Sequence, residues 1–147
     1  MGPTLAKVEV SNAEHFDLRA ELDLLVDTGA TYTIIRGDFL KKLQVKPIEE
    51  RAFTLADGQK IRRMMGGVRM RIGDRHGFSS VIFGEEHDQQ LLGITALEEL
   101  GLEVDPVSRQ LKPAELFMLW TSRGECSFRI EDRWYIKFGA LPQNDHW

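Results

Sequence analysis

Asp27 is the residue of this sequence whose position most favours catalysis, because it ends an apolar, β-prone run. The surrounding stretch reads LLVDTGATYTII (residues 24–35), with no Lys or Arg beside the carboxylate. An ionised carboxylate in apolar surroundings is costly unless hydrogen bonds or a partner group stabilise it. The pattern therefore indicates either an Asp held in a turn by hydrogen bonds or an Asp kept for its chemistry.

The three residues after Asp27 favour a rigid loop at the floor of a cleft. Gly29 allows a tight turn at the end of the strand and leaves backbone amides free to bind the carboxylate. Thr28 supplies a hydroxyl that we expect to point inward and to brace whatever lies opposite, and Ala30 is small enough for a close neighbour. These residue types are thus suited to holding Asp27 rigidly at the floor of a cleft.

Other chemistries that use an Asp near Thr or Gly do not fit. A haloacid-dehalogenase-type phosphatase needs two Asp one residue apart, whereas three residues separate Asp23 from Asp27. An actin-like ATPase needs a second phosphate loop and a longer chain, and no GxxxxGK[ST] phosphate loop is present. The histidines are scattered without a metal-ligand spacing, so the sequence predicts no metal site and no cofactor: His15, His76, His87 and His146.

One carboxylate is not enough for hydrolysis of a peptide bond. Activating water while protonating a carbonyl takes two carboxylates that share a proton. Asp57, Asp88 and Asp105 all lack a preceding apolar run and a following Thr-Gly or Ser-Gly. The chain thus carries half a site, and the simplest completion is a homodimer in which Asp27 of each subunit meets at the two-fold axis.

The composition is that of an ordinary globular protein. The chain has 147 residues, of which 42% are hydrophobic and 29% charged, and its formal net charge is −4. That charge gives no basis for nucleic-acid binding, and no apolar run is long enough for a transmembrane helix. The first residues lack the pattern of a signal peptide, and the one cysteine, Cys126, cannot form an internal disulfide. We expect a cytoplasmic protein.

The remaining pattern predicts an all-β domain with two short helices. Alternating stretches predict strands, and Asp57-Gly58 predicts a hairpin turn. We expect Gly66-Gly67 to separate two strands and Asp38 to cap the first helix. We expect Thr95 to begin a capping box for the second helix and Gly101 to end that helix. We place this domain at residues 1–113. Residues 114–147 form an extension in which SFRIEDRWYIKFG predicts a hairpin with a turn at residues 131–132.

The order of these motifs resembles the retroviral-type (retropepsin-like) aspartic proteases and their small bacterial relatives. The resemblance covers about residues 22 to 113 and includes VRMRIGDRHGFSSVIFGEEHDQQLLGITALEELG (68–101). It implies a small closed β-barrel that forms one half of a dimeric acid protease. It also implies that Asp27 is the catalytic carboxylate, that Thr28 hydrogen-bonds across the two-fold axis, and that Gly29 offers its backbone to the substrate. The element Leu91-Leu92-Gly93, two apolar residues followed by glycine, is implied to pack beside this loop. On this resemblance we predict Ala30 and Leu92 as substrate-binding residues.

The resemblance further implies that residues 53–63 form the flap, the hairpin that closes over the substrate. Its tip residues Ala56, Asp57 and Gly58 are the implied substrate contacts. The flap departs from the retroviral pattern in having less glycine at its tip and several basic residues on one arm. An ionic pair that steadies retroviral dimers is also absent, because its two positions hold Thr31 and Ile94.

The sequence thus predicts an aspartic endopeptidase that cleaves extended peptides between the flaps and the loop of Asp27. A second interpretation stays open, a non-catalytic dimerising module that binds peptides or proteins by strand addition. The intact Asp-Thr-Gly favours the enzyme, because a pure binding module has no chemical need for it.

Overall fold

The computed structural model describes residues 3–118, 125–130 and 133–138. The chain divides into two compact units, residues 1–115 and 116–147. The first unit contains nine strands and two helices among its described residues: β1 Leu5–Asn12, β2 Arg19–Val26, β3 Thr33–Arg36, α1 Gly37–Lys42, β4 Glu49–Thr54, β5 Lys60–Ile72, β6 Arg75–Gly84, β7 Leu91–Leu92, α2 Ile94–Leu100, β8 Leu102–Val104 and β9 Leu111–Pro113.

Seven of these strands form one sheet that closes on itself. Their order is β1-β2-β7-β3-β6-β5-β4, and a further pairing between β1 and β5 completes the ring. Among the described strands, β4 pairs with β5 alone, so the β4–β5 hairpin extends from the closed ring. The short strands β8 and β9 form a separate antiparallel pair. The predicted fold class, an all-β closed barrel with two short helices, is therefore confirmed.

The interior of the barrel is built by alternation along the strands. In β1, Ala6, Val8 and Val10 are buried while Leu5 and Lys7 are exposed, which is the period of two expected for a half-buried strand. α1 and α2 add one side each to the same core. The fully buried hydrophobic residues are Val8, Val10, Leu24, Ile35, Leu40, Val68, Met70, Val81, Leu92, Ala96 and Leu97.

The predicted break at Gly66-Gly67 is wrong, because β5 runs through both glycines without interruption. Gly66 serves close packing instead of a turn. A Cβ at this position would lie 2.9 Å from Cε1 of Phe83 and 3.1 Å from the carbonyl oxygen of Lys46. A side chain would collide with both neighbours, so glycine lets the strand pass beneath the ring of Phe83.

Both helices begin earlier than the sequence predicted. α1 starts at Gly37, so Asp38 lies in its first turn and its carboxylate makes no N-cap hydrogen bond. α2 starts at Ile94 with Gly93 as its N-cap residue, so Thr95 lies inside the helix and caps nothing. The end of α2 is as predicted. Gly101 closes the helix in the left-handed conformation (φ 66°), which glycine adopts at little cost.

The second unit contains β10 (Glu125–Ile130) and β11 (Arg133–Phe138), which pair antiparallel. The predicted turn at residues 131–132 lies outside the described residues. Within the part of the chain that the structure describes, no helix is long and apolar enough to cross a membrane.

Candidate active site

The loop that carries Asp27 connects the end of β2 to the start of β3. The amide of Val26 donates to the carbonyl oxygen of Thr4 (2.8 Å), and the amide of Asp27 donates to that of Leu92 (3.0 Å). The second bond continues the parallel register in which Val26 lies opposite Leu92. The backbone of Asp27 is therefore positioned by the sheet, between β1 and β7.

The carboxylate of Asp27 is held by the turn that follows it. Its Oδ1 accepts a hydrogen bond from the amide of Gly29 (2.9 Å), the interaction that the sequence led us to expect. The amide of Ala30 donates to the carbonyl oxygen of Asp27 (3.1 Å) and closes the turn. Among the described residues, none donates a hydrogen bond to Oδ2 of Asp27. One carboxylate oxygen is thus fixed and the other is available.

Asp27, Thr28 and Gly29 are exposed within the single chain. One subunit therefore does not give the carboxylate the apolar surroundings that the sequence predicted. The physical reason is that Leu24 is the last fully buried residue of β2 and the chain leaves the sheet after Val26. The apolar run ends just before the loop and does not surround it.

The N-terminus of α2 fixes the second half of the loop. The amides of Ile94 and Thr95 donate to the carbonyl oxygens of Ala30 (2.8 Å) and Thr31 (3.1 Å). The hydroxyl of Thr95 donates to the same oxygen of Thr31 (2.6 Å). The sequence assigned this hydroxyl to a helix cap and so missed its function in the loop, because nothing local links residues 31 and 95.

Gly93 allows α2 to approach the loop closely. Its amide donates to Oγ1 of the buried Thr33 (3.0 Å). A Cβ on Gly93 would lie 2.5 Å from the carbonyl carbon and 2.6 Å from the carbonyl oxygen of Tyr32. The glycine after two apolar residues was the sequence signal for this contact. Thr33 had no comparable signal, since its hydroxyl stands among β-prone residues.

Leu92 was predicted to bind substrate, and the structure corrects this prediction. Its side chain is fully buried, so it lies in the core of the barrel and not at a cleft. The contribution of Leu92 to the loop is its carbonyl oxygen, which accepts the amide of Asp27. A two-residue strand with both side chains buried leaves only the backbone at its edge.

The predicted flap is a hairpin formed by β4 and the start of β5, with a turn at residues 55–59. The amide of Leu55 donates to the carbonyl oxygen of Gln59 (2.8 Å), and Gly58 takes a positive φ of 87°. Ala56, Asp57 and Gly58 are exposed at the tip. Within the described part of one chain, no hydrogen bond joins this tip to the loop of Asp27.

The other aspartates considered from the sequence serve turns. Asp57 and Asp105 each accept a hydrogen bond from the amide two residues further on (2.9 and 2.8 Å). Asp88 accepts one from the amide of Glu85 (2.7 Å). The amide hydrogen bonds also hold the pKa of the Asp105 carboxyl below its usual value. These geometries supply no second catalytic carboxylate from the same chain.

Arg63 and Asp88 form an ion pair that the sequence did not reveal. Nε and Nη2 of Arg63 donate to Oδ2 (2.7 Å) and Oδ1 (3.0 Å) of Asp88. This bidentate contact is the main cause that lowers the pKa of Asp88, and it raises the pKa of Arg63. Residues 25 positions apart give no local pattern, so the pair was invisible before the fold was known.

Tyr32 contacts the base of the flap. Its ring lies edge-on to that of Phe53, with 6.1 Å between the ring centroids. Nη1 of Arg51 donates to the hydroxyl of Tyr32 (3.1 Å), and the guanidinium also lies 5.9 Å from the centre of the Tyr32 ring. The hairpin predicted around Asp57-Gly58 included Phe53, but the sequence could not identify Tyr32 as its partner.

The Arg63–Asp88 pair gives a prediction for the pH dependence of stability. Because the pKa of Asp88 is lowered in the folded protein, the pair stabilises the fold above the ordinary pKa of an Asp side chain. We expect Asp88→Asn to unfold at lower urea concentration than wild type at about pH 7. The difference between the two urea midpoints should decrease as the pH falls through the lowered pKa of Asp88. Urea titrations of both proteins across this pH range test the prediction, and a difference that stays constant with pH would contradict it.

The hydroxyl of Thr95 gives a second prediction. We expect Thr95→Val to lower the free energy of unfolding by about 1 kcal/mol, the usual net value of one hydrogen bond. Thr4→Val is the matched control, because it removes a similar bond from a hydroxyl to the carbonyl oxygen of Arg109 (2.8 Å). Activity against a peptide should fall more in Thr95→Val than in the control. Equal activities would show that the Thr95 hydroxyl does not hold the loop.

Among the residues that the structure describes, no three His, Cys, Asp or Glu side chains are grouped so that they could hold a metal ion. The chemistry available at the loop is that of a carboxylate held by the backbone amide of Gly29, close to the small, half-buried Ala30.

Known proteins similar to this chain include one sequence family and one solved structure. Residues 16–99, more than half of the chain, match the family described as "gag-polyprotein putative aspartyl protease". Among solved structures, the chain is similar to the solution structure of the simian foamy virus (mac) protease, at 18% identity and a TM-score of 0.46. That match covers 64% of this chain and 91% of the viral one. A comparison with curated proteins gives no match.

Proposed function

Because the chain belongs to the family of gag-polyprotein aspartyl proteases, we propose that it is an aspartic endopeptidase whose catalytic carboxylates are Asp27 of two identical subunits. The observation that carries this proposal is the loop of Asp27. Sheet, turn and helix hydrogen bonds fix its backbone, while the carboxylate is exposed and one of its oxygens accepts no hydrogen bond from the described residues. A carboxylate held in this way is positioned to share a proton with the Asp27 carboxylate of a second subunit.

The exposure of the loop supports the homodimer. A general base works best where bulk water is excluded, and one subunit leaves Asp27, Thr28 and Gly29 open. A second copy on a two-fold axis would cover the loop and bring the second carboxylate. An exposed apolar side chain near the loop also supports this arrangement. Leu5 is 64% exposed, and in the pairing of β1 with β2 it lies opposite Leu25, two residues before Asp27.

The proposed reaction follows from two carboxylates that share one proton. The ionised Asp27 takes a proton from a water molecule, whose oxygen attacks the peptide carbonyl carbon. The protonated Asp27 of the other subunit gives its proton to the carbonyl oxygen, which forms a neutral tetrahedral diol. The first Asp27 then donates the proton that it took from water to the nitrogen. As the C–N bond breaks, one hydroxyl of the diol gives its proton to the other Asp27, which leaves a carboxylic acid, an amine and again one proton on the pair of carboxylates. The lone proton of the pair sets an optimum on the acidic side of neutral.

The substrate is a peptide or protein in extended form. Gly29 and Ala30 would contact it from the floor, and the flap tip, Ala56, Asp57 and Gly58, from above. We assign the catalytic domain to residues 1–113 and place the protein in the cytoplasm. The proposed chemistry uses no residue of the extension, residues 114–147.

The test is cleavage of an unfolded protein by the purified full chain, followed by mass spectrometry of the products. We expect cleavage that a statine-type inhibitor suppresses. We also expect activity per subunit to fall on dilution, because the site is complete only in the dimer. A dimer in solution that cleaves nothing would favour the non-catalytic binding module. Activity that is unchanged from dimer to monomer would contradict the shared site.

A further inference from the structure

We propose that two contacts at the base of the flap fix its position over Asp27, and that Asp88 and Tyr32 are therefore positioning residues for substrate binding. This inference rests on the proposed function. The contacts lie on opposite arms of the hairpin: Arg63 of β5 reaches Asp88, and Arg51 and Phe53 of β4 reach Tyr32.

The first contact is the Arg63–Asp88 pair. The side chain of Arg63 is 13% exposed and that of Asp88 is 23% exposed, so water screens their attraction only in part. Asp88 is itself held by the amide of Glu85 (2.7 Å). A bidentate pair between an Arg and a carboxylate fixes direction as well as distance. One arm of the flap is thus tied to the loop between β6 and β7.

That loop leads directly to the strand that holds Asp27. Three residues after Asp88 the chain enters β7, and the carbonyl oxygen of Leu92 accepts the amide of Asp27 (3.0 Å). The first contact therefore connects the flap to the catalytic loop through one short segment. A shift of Asp88 would change the position of the flap relative to the carboxylate.

The second contact, between β4 and Tyr32, reaches the segment that follows Asp27 in the chain. Tyr32 follows Thr31, whose carbonyl oxygen accepts both the amide and the hydroxyl of Thr95. The edge-on packing of Tyr32 on Phe53 and the hydrogen bond from Arg51 tie β4 to this fixed segment. The two arms of the flap are thus fastened to the two segments that position Asp27.

A neighbouring ion pair shows what the two contacts add. Arg62 and Glu50 also form a close pair (2.6 Å), but both belong to the hairpin itself, and they are 64% and 47% exposed. This pair joins one arm of the hairpin to the other. It does not join the hairpin to the barrel, and an exposed pair contributes little to stability. The tip of the flap is left free to close while its base stays fixed.

The experiment compares Asp88→Asn with Glu50→Gln in the full-length dimer. Each change neutralises one carboxylate that pairs with an Arg at neighbouring positions of β5, and Asn keeps an oxygen for the amide of Glu85. We expect Asp88→Asn to raise KM for a peptide about tenfold, with a smaller change in kcat, and Glu50→Gln to stay within about twofold of wild type. Equal KM values for the two variants would overturn the inference.

Tyr32 is tested by a pair of variants. Tyr32→Phe removes the acceptor of the Arg51 hydrogen bond and keeps the ring on Phe53, whereas Tyr32→Leu removes both. We expect a rise in KM of about twofold for Tyr32→Phe and about tenfold for Tyr32→Leu. If KM is the same for the two variants, the packing of Tyr32 on Phe53 does not position the flap.

Hydrogen exchange distinguishes failure of this inference from failure of the proposed function. We expect the amides of residues 49–63 to exchange at least about fivefold faster in Asp88→Asn than in wild type, and to be unchanged in Glu50→Gln. If wild type cleaves no peptide, the proposed function fails and the exchange rates alone decide whether the contacts hold the flap. If Asp88→Asn and Glu50→Gln exchange alike, the inference is wrong whatever the activity.

Discussion

Asp27→Asn is expected to lower peptide hydrolysis by about 10²- to 10⁴-fold, the contribution of a positioned general base. An amide neither accepts the proton of the attacking water at neutral pH nor supplies one to the carbonyl oxygen. In the proposed homodimer the change would remove both carboxylates at once. The loss should therefore appear in kcat and leave KM for the peptide nearly unchanged.

The fold should survive this substitution. Asn keeps an oxygen that can accept the amide of Gly29, and position 27 is exposed, where substitutions usually change stability by less than about 0.5 kcal/mol. In the proposed dimer the two Asp27 carboxylates would repel each other when both are ionised, so we expect Asp27→Asn to strengthen the dimer. Urea unfolding and the dissociation constant of the dimer measure these two effects.

Asp105→Asn is the matched control, because it makes the same chemical change in a turn that the proposed chemistry does not use. Its oxygen accepts the amide of Val107 (2.8 Å), as that of Asp27 accepts the amide of Gly29. The control should retain activity. Mixing equal amounts of wild type and Asp27→Asn should lower the activity per wild-type chain to about half, because random pairing yields mixed dimers with one carboxylate. Activity of Asp27→Asn equal to that of Asp105→Asn would show that Asp27 is not catalytic.

The sequence predicted those parts of the fold that depend on neighbours in the chain. Alternation predicted β1 and β2, and Asp57-Gly58 predicted the hairpin whose turn places Gly58 at φ 87°. Gly101 predicted the end of α2 for the same reason, a positive φ that glycine adopts easily. Each of these signals lies within a few residues of the structure that it specifies.

Contacts between distant segments could not be predicted in this way. The hydroxyl of Thr95 bonds to a residue 64 positions earlier, and Thr33 receives the amide of a residue 60 positions later. Nothing in the local pattern distinguishes Thr95 as a helix cap from Thr95 as a support for a loop. The same limit applies to Asp88, which the sequence could assign only to a polar loop.

The exposure of Asp27 shows a different limit. Apolar residues on one side of an Asp indicate where the strand is buried, and they do not say where the chain leaves the sheet. The sequence pattern predicted burial of the carboxylate, and one subunit exposes it. In the proposed dimer the two observations are compatible, because the apolar strand supports the loop from below and the second subunit covers it.

Gly93→Ala is expected to be among the most damaging single changes in the chain. The backbone of Gly93 is ordinary (φ −87°, ψ 171°), so its conformation does not demand glycine. The lack of space around Gly93 does demand glycine, because a Cβ would lie 2.5 Å from the carbonyl carbon of Tyr32 and 2.9 Å from the carbonyl oxygen of Thr31. Both are backbone atoms that cannot rotate away. We expect a loss of about 3 kcal/mol in the free energy of unfolding, at the upper end of overpacking effects.

The same change should also lower activity by about 10²-fold, because a shift of the order of 1 Å in a catalytic group has that effect. Gly67→Ala is the matched control, since its nearest neighbour beyond the adjacent residues, the carbonyl oxygen of Ser79, lies 4.0 Å from the added Cβ. That variant should be as stable as wild type or slightly more so. Urea unfolding and peptide cleavage by both variants decide the matter. If Gly93→Ala matches Gly67→Ala in both measurements, close contact between α2 and the segment after Asp27 is not what positions the carboxylate.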